Sequence, residues 1–114
     1  MSVLDKILKP KNDHSNKVEI LDVDTYKKAV NNNEVQLVDV RTSREFKGGH
    51  IARAVNIDYF KGKAFVDAFE KMDKTKPVYL YCRSGNRSLK AANKLINMGF
   101  DKVYDLKGGI LKWK

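Results

Sequence analysis

Cysteine is the scarcest chemistry in this chain: its 114 residues carry one, Cys82. A single thiol forms no internal disulfide, so the cysteine content does not argue for an oxidising compartment. It also excludes an internal resolving partner, and whatever Cys82 takes up must leave on another molecule. Two histidines and one cysteine, widely spaced, make no metal-ligand set, and no motif asks for a cofactor. No apolar run approaches the ~18 residues of a membrane-spanning helix. Residues 1–10 are too short and too interrupted by charge to read as a secretory signal. No membrane partner is therefore expected, and the expected location is cytoplasmic; a periplasmic or exported protein stripped of its signal would read the same.

A dense basic block is also missing. The formal net charge is +9, but the lysines are scattered from Lys6 to Lys114 with no aromatic-studded basic strand among them. That pattern argues against specific nucleic-acid binding, while the same field speeds encounter with a small anion. There is no repeat of fixed period, and no low-complexity tract beyond Asn31, Asn32 and Asn33. The length suits one domain with a tail, large enough to bury about two-thirds of its unfolded surface without covalent staples. A monomer is expected.

What is present alternates. A first segment, residues 1–16, has a short apolar stripe at Val3, Leu4, Ile7 and Leu8, then a polar stretch, and reads as an N-terminal extension with a weak helix. A strand follows at Val18–Leu21, then a helix capped by Asp22 or Asp24 with Tyr26, Ala29 and Val30 on one face. The run Val35–Val40 is nearly all apolar, as in a buried parallel strand. Thr42 or Ser43 starts a short helix with Glu45 in its first turn, closed by Gly48 and Gly49. His50 to Ile57 leads into a short strand, residues 58–63 read as loop, and Phe65, Val66, Ala68, Phe69 and Met72 form a helical face. Val78–Tyr81 is a strand. Leu89, Ala92, Leu95 and Ile96 mark a helix running to Met98, with Gly99 as its left-handed stop and Phe100 folding back. Lys102–Leu106 is the last strand, and Gly108 and Gly109 turn into a terminal helical turn whose Trp113 seals the core. Five strand–helix alternations predict an α/β domain over residues 17–114: a central, mainly parallel five-stranded sheet with helices on both faces.

Ligands of such sheets bind beyond the carboxyl ends of the strands, and Cys82 stands at one such end. The next residues, Arg83, Ser84, Gly85, Asn86, Arg87 and Ser88, join a strand to a helix N-terminus, where free N–H groups favour an anion. Gly85 permits a backbone angle closed to other residues, and Asn86 tolerates the left-handed region. Curled around the sulfur, the loop can aim several N–H groups at it as an anion-binding nest. Ser84 and Ser88 can add hydroxyls, and Ser88 can cap the helix. Arg83 and Arg87 can meet a charged oxyanion at the mouth. Such electropositive surroundings favour a nucleophilic thiolate. Cys82 is therefore the candidate catalytic residue, with 83–88 as candidate substrate-binding residues.

The loop Cys82–Arg87 resembles the active-site loop of the rhodanese family, sulfurtransferases that carry sulfur as a cysteine persulfide. Three other stretches resemble that family in the same order: Val38–Arg41, Glu45–Ile57 and Leu106–Trp113. The likeness covers about Val18 to Lys114 and implies a single-domain rhodanese fold. It also implies a ping-pong transfer of sulfane sulfur, from a small anionic donor such as thiosulfate to cyanide, a thiol or a protein cysteine. His50 falls in a scaffold stretch and reads as structural, since a loop that already favours the thiolate needs no general base. Asp39, Arg41 and Glu45 read as buried or half-buried polar partners tying loops around the site.

Two other functions fit parts of the pattern. Related phosphatases and arsenate reductases place five residues between cysteine and arginine. Here Arg87 comes one position early, and the shorter loop suits sulfur better than a tetrahedral phosphate. A persulfide carrier loaded by a partner, with no small-molecule turnover of its own, would show the same sequence.

Overall fold

The computed structural model describes residues 17–31 and 34–113; the N-terminal stripe at Val3–Leu8 and the end of the asparagine run lie outside them. Five short strands form one sheet: β1 (Val18–Leu21), β2 (Gln36–Asp39), β3 (Val55–Asn56), β4 (Val78–Tyr81) and β5 (Val103–Leu106). Their order is β1-β5-β4-β2-β3 and all four pairings are parallel. β4 is the central strand. Its register sets Leu80 beside Val38 on one side and Asp105 on the other.

Among the described residues, four helices connect and cover the sheet: α1 (Val23–Asn31), α2 (Ser43–Lys47), α3 (Lys63–Glu70) and α4 (Asn86–Asn97). Alternation along the strands splits the core in two. On one face Val38, Val78, Leu80 and Val103 pack under α3 and α4, against Phe65, Phe69, Ala91, Ala92, Leu95 and Phe100. On the other, Leu37, Tyr81 and Leu106 pack with Tyr26 and Val30 of α1, and Phe46, Ile110 and Trp113 close the edge. Phe65 and Phe69 are fully buried; at about 2–3 kcal/mol each, they fix α3 on its face more firmly than its few helical hydrogen bonds could.

Local chemistry sets the helix ends. Thr25 N–H donates to Asp22 Oδ1 at 2.9 Å, so Asp22 rather than Asp24 caps α1. Thr42 and Glu45 form a reciprocal capping box that starts α2. Gly99 has φ 104° and Phe100 N–H returns to Leu95 O, which ends α4 as the sequence predicts. Three expectations need correction. Residues 58–63 are not plain loop: Asp58 caps a single 3-10 turn at Tyr59–Lys61, and α3 begins at Lys63. α4 starts at Asn86, inside the stretch read as loop, so Ser88 lies within the first turn and caps nothing; Gly85 is the N-cap, with no side-chain bond. Leu89 is on the exposed side. The buried stripe is Ser88, Ala91, Ala92, Leu95 and Ile96, a regular helical spacing whose first position is a serine and therefore invisible to a hydrophobic pattern.

Candidate active site

Parallel strands deliver Val40, Cys82 and Lys107 to one end of the sheet, and the site is built there. Cys82 immediately follows β4 and is 1% exposed. Gly85 N–H donates to its Sγ at 3.0 Å. Among the described residues it is the one hydrogen-bond donor to the sulfur, so the expected cradle of several N–H groups is realised at this one. The turn that brings it there requires φ 110° at Gly85, a region open to glycine at little cost.

The loop is gripped from behind by the residues after β5. Ile110 N–H donates to Cys82 O at 2.9 Å and Leu111 N–H to Arg83 O at 3.2 Å. Gly109, with φ 68°, lies flat against these carbonyls; a Cβ there would overlap the Arg83 carbonyl and come within 2.7 Å of Cys82 O. The sequence places a glycine doublet at 108–109, and the doublet was the signal available for this contact.

The predicted 83–88 group divides. Arg83, Ser84 and Asn86 are exposed at the mouth, and Arg83 has no ion-pair partner among the described residues. Arg87 does not stand free to meet an oxyanion. Its guanidinium forks onto Glu45, Nη1 to Oε1 at 2.7 Å and Nη2 to Oε2 at 3.0 Å, and lies over the Phe60 ring. The Arg87 bonds hold the Glu45 carboxyl well below its ordinary range, down to about 2. This clamp joins the start of α4 to α2 across the site. Ser88 is buried, and its hydroxyl donates to Gly85 O at 3.3 Å.

The acidic and basic residues of the scaffold motif do tie loops together. Arg41 Nε and Nη2 bond both oxygens of buried Asp39, and Nη2 also reaches Gly49 O at 2.7 Å. Asn56 Nδ2 donates to the carbonyls of Asp39 and Arg41. His50 lies on the Phe46 ring with centroids 3.7 Å apart, and its Nδ1 is 2.9 Å from Phe46 O; neither contact involves the thiol. Sequence reasoning missed Asp105. It is buried at the end of β5, and its Oδ1 has no hydrogen-bond partner among the described residues.

Glu45→Gln removes the charge that Arg87 grips. We expect a loss of about 1 kcal/mol at pH 7, the pair being partly solvent-screened. The sign of the pH effect follows from a depressed folded-state carboxyl: the pair's stability is present above the ordinary glutamate range and lost as pH falls toward 2. Thermal melts at pH 7 and pH 3 should therefore show a gap that narrows at the lower pH. A gap that stays constant with pH would contradict this assignment.

Two exposed apolar side chains border the loop: Phe60, under the Arg87 guanidinium, and Leu111, whose N–H holds the Arg83 carbonyl. No helix among the described residues is long and apolar enough to cross a membrane.

Comparison with known proteins points one way. A family model described as rhodanese-like domain matches residues 11–114. The uncharacterized protein YqhL of Bacillus subtilis is 44% identical over 80 residues, covering 70% of this chain and 61% of that protein. Thiosulfate sulfurtransferase GlpE of Coxiella burnetii is 36% identical over 85 residues, covering 75% of this chain and 77% of the relative. The crystal structure of a rhodanese-like domain protein from Staphylococcus aureus superposes with TM-score 0.72 at 28% identity, covering 84% of this chain and 91% of that one. The chain spans less than two-thirds of several relatives, among them YqhL and the tRNA uridine(34) hydroxylase of Pelagibacter ubique, of which it covers 31%.

Proposed function

The chain belongs to the rhodanese-like domain family, and from that premise we propose that it transfers sulfane sulfur through a persulfide on Cys82. The observation that carries the reading is the Gly85 N–H on Sγ, in a loop of four residues between Cys82 and Arg87. That spacing is one residue shorter than the phosphatase form, and it suits a single sulfur better than a tetrahedral phosphate.

In the first half-reaction the Cys82 thiolate attacks the outer sulfur of thiosulfate. The donor's S–S bond breaks and sulfite leaves with the bonding electron pair. Arg83, exposed and unpaired, meets the departing sulfonate; Arg87 contributes charge to the mouth while its fork stays on Glu45. The product is a Cys82 persulfide, whose terminal sulfur carries the negative charge. The helix N-terminus of α4 and the Gly85 N–H stabilise that charge without reorganising. In the second half-reaction an acceptor nucleophile, a thiol or cyanide, attacks the terminal sulfur and Cys82 leaves as thiolate. With one cysteine in the chain, that acceptor is necessarily external. Phe60 and Leu111 offer it an apolar rim.

Exposure to thiosulfate should add one sulfur, about 32 Da, to the intact mass, and cyanide should remove it. Cys82→Ser should gain nothing. A wild-type protein that stays unloaded by thiosulfate but takes sulfur from a persulfidated protein would be a carrier, and uptake by Cys82→Ser would defeat the mechanism.

A further inference from the structure

A buried carboxyl stands behind the loop and the proposed chemistry does not use it. Asp105 is 2% exposed, on the face of the sheet that α4 covers, beside Leu80. Its carboxyl reaches the Ser88 hydroxyl and the Leu106 N–H, while Oδ1 is left unpartnered among the described residues. Ser88 in turn donates to Gly85 O, and Gly85 N–H sits on the Cys82 sulfur. A buried carboxyl is thus linked through one hydroxyl and one glycine to the reacting atom.

We propose that Asp105 is a positioning residue, whose protonation state sets the hold of Gly85 on Cys82 by way of Ser88. The logic is one of donor supply. Ser88 has a single hydroxyl proton. When Asp105 is neutral, its own O–H donates to Ser88 Oγ and leaves the serine proton for the Gly85 carbonyl. When Asp105 is ionised it can only accept, so the serine proton turns to the carboxylate and Gly85 O keeps only the Leu89 N–H, at 3.2 Å. The carboxylate also adds a negative charge on the face where a thiolate or persulfide must form. Both effects disfavour an anionic sulfur.

Burial pushes the Asp105 carboxyl up to about 6, against the smaller opposing pull of Ser88 and the Leu106 N–H. The other titratable groups around it are Cys82, on the same face at the end of β4, and Tyr26 of α1, beneath the sheet. The Tyr26 phenol is held protonated chiefly by burial and next by the Asp105 charge, and it donates to Leu80 O at 2.9 Å. Arg87 and Glu45 are occupied with each other. Ionisation of Asp105 thus weakens the support that the loop gives an anionic sulfur.

This inference rests on Cys82 as the reacting sulfur, and alkylation tests it whether or not thiosulfate is the donor. The rate of Cys82 modification by iodoacetamide should be followed by intact mass from pH 5 to 8. For the wild type, the logarithm of the rate should flatten near pH 6 and emerge about threefold below the line from the acid side, the scale of one nearby buried charge. Asp105→Asn, whose amide donates permanently, should climb without the step, and Ser88→Ala should show a reduced one. Carbon-13 NMR of the Asp105 carboxyl in the wild type needs no variant and should show titration near 6. The proposal is overturned if the step persists in Asp105→Asn, if Ser88→Ala leaves it whole, or if the carboxyl titrates in the ordinary aspartate range. Loss of thiosulfate loading with the step intact would instead remove the proposed donor and leave this linkage standing.

Discussion

Gly109→Ala should leave a protein that folds weakly and loads sulfur at least 100-fold more slowly, the scale of a misplacement of about 1 Å at a reacting centre. Two independent costs combine. A left-handed backbone costs an alanine roughly 1–2 kcal/mol more than a glycine, and φ here is 68°. The added methyl then overlaps the Arg83 carbonyl and crowds Cys82 O. Backbone cannot swing aside as a side chain does, and such overpacking costs about 1–3 kcal/mol. The sum, roughly 2–5 kcal/mol, is a large share of the 5–15 kcal/mol typical of a domain. Relief requires the loop to retreat, which breaks the bonds from Ile110 and Leu111 and moves the sulfur.

Gly108→Ala is the control. Its φ of 78° carries the same backbone cost, but the new methyl meets the exposed Lys112 side chain, which can turn into solvent. That variant should lose only about 1–2 kcal/mol and load sulfur nearly as the wild type does. Thermal melts and single-turnover loading of the pair decide the matter. Equal behaviour of the two variants, or normal loading by Gly109→Ala, would mean that the clasp behind the loop does not set the position of Cys82.

Much of this architecture was legible because burial along a strand or helix leaves a one-dimensional trace. The apolar run before Asp39 and the short run before Cys82 announced the two inner strands, and the Thr42–Glu45 spacing announced the start of α2. The sheet came out wholly parallel, the stricter form of what alternation implies. Periodicity failed where a buried position is polar. Ser88 occupies the first place of the α4 stripe, so the pattern began at Leu89 and put the helix start too late. Loop-to-loop pairs left no local trace at all. Arg87 looked like a free arginine because Glu45 is 42 positions away, and nothing in their neighbourhoods names them as partners. Asp105 lay within a predicted strand, but alternation alone could not say that its face would be sealed by α4. The site was therefore readable as a cysteine loop, and its supporting contacts were not.

Asp105→Asn should make the protein more stable at pH 7, a result opposite in sign to most substitutions of a buried group. In the folded protein burial raises this carboxyl from its ordinary value of 3.8 to about 6. The folded state therefore binds a proton more tightly than the unfolded chain. The stability linked to that proton is fully present below the unfolded value and is lost as pH rises through about 6. By pH 7 the difference amounts to about 2–3 kcal/mol. Asparagine has nearly the same shape, keeps a donor for Ser88 and never ionises, so it avoids the loss. The expected gain is about 2 kcal/mol at pH 7, or roughly 8–12 °C in melting temperature for a domain of this size, shrinking to nothing near pH 4. Glu45 titrates identically in both proteins, so the difference between their pH–stability curves isolates Asp105. A variant less stable than the wild type at pH 7, by a margin that does not change with pH, would show that the carboxylate is paired rather than stranded. A gain confined to neutral pH would place a destabilising charge directly behind the helix turn that holds the reactive sulfur. It would also explain why the same substitution is expected to strip the pH step from Cys82 reactivity, since one buried proton underlies both effects.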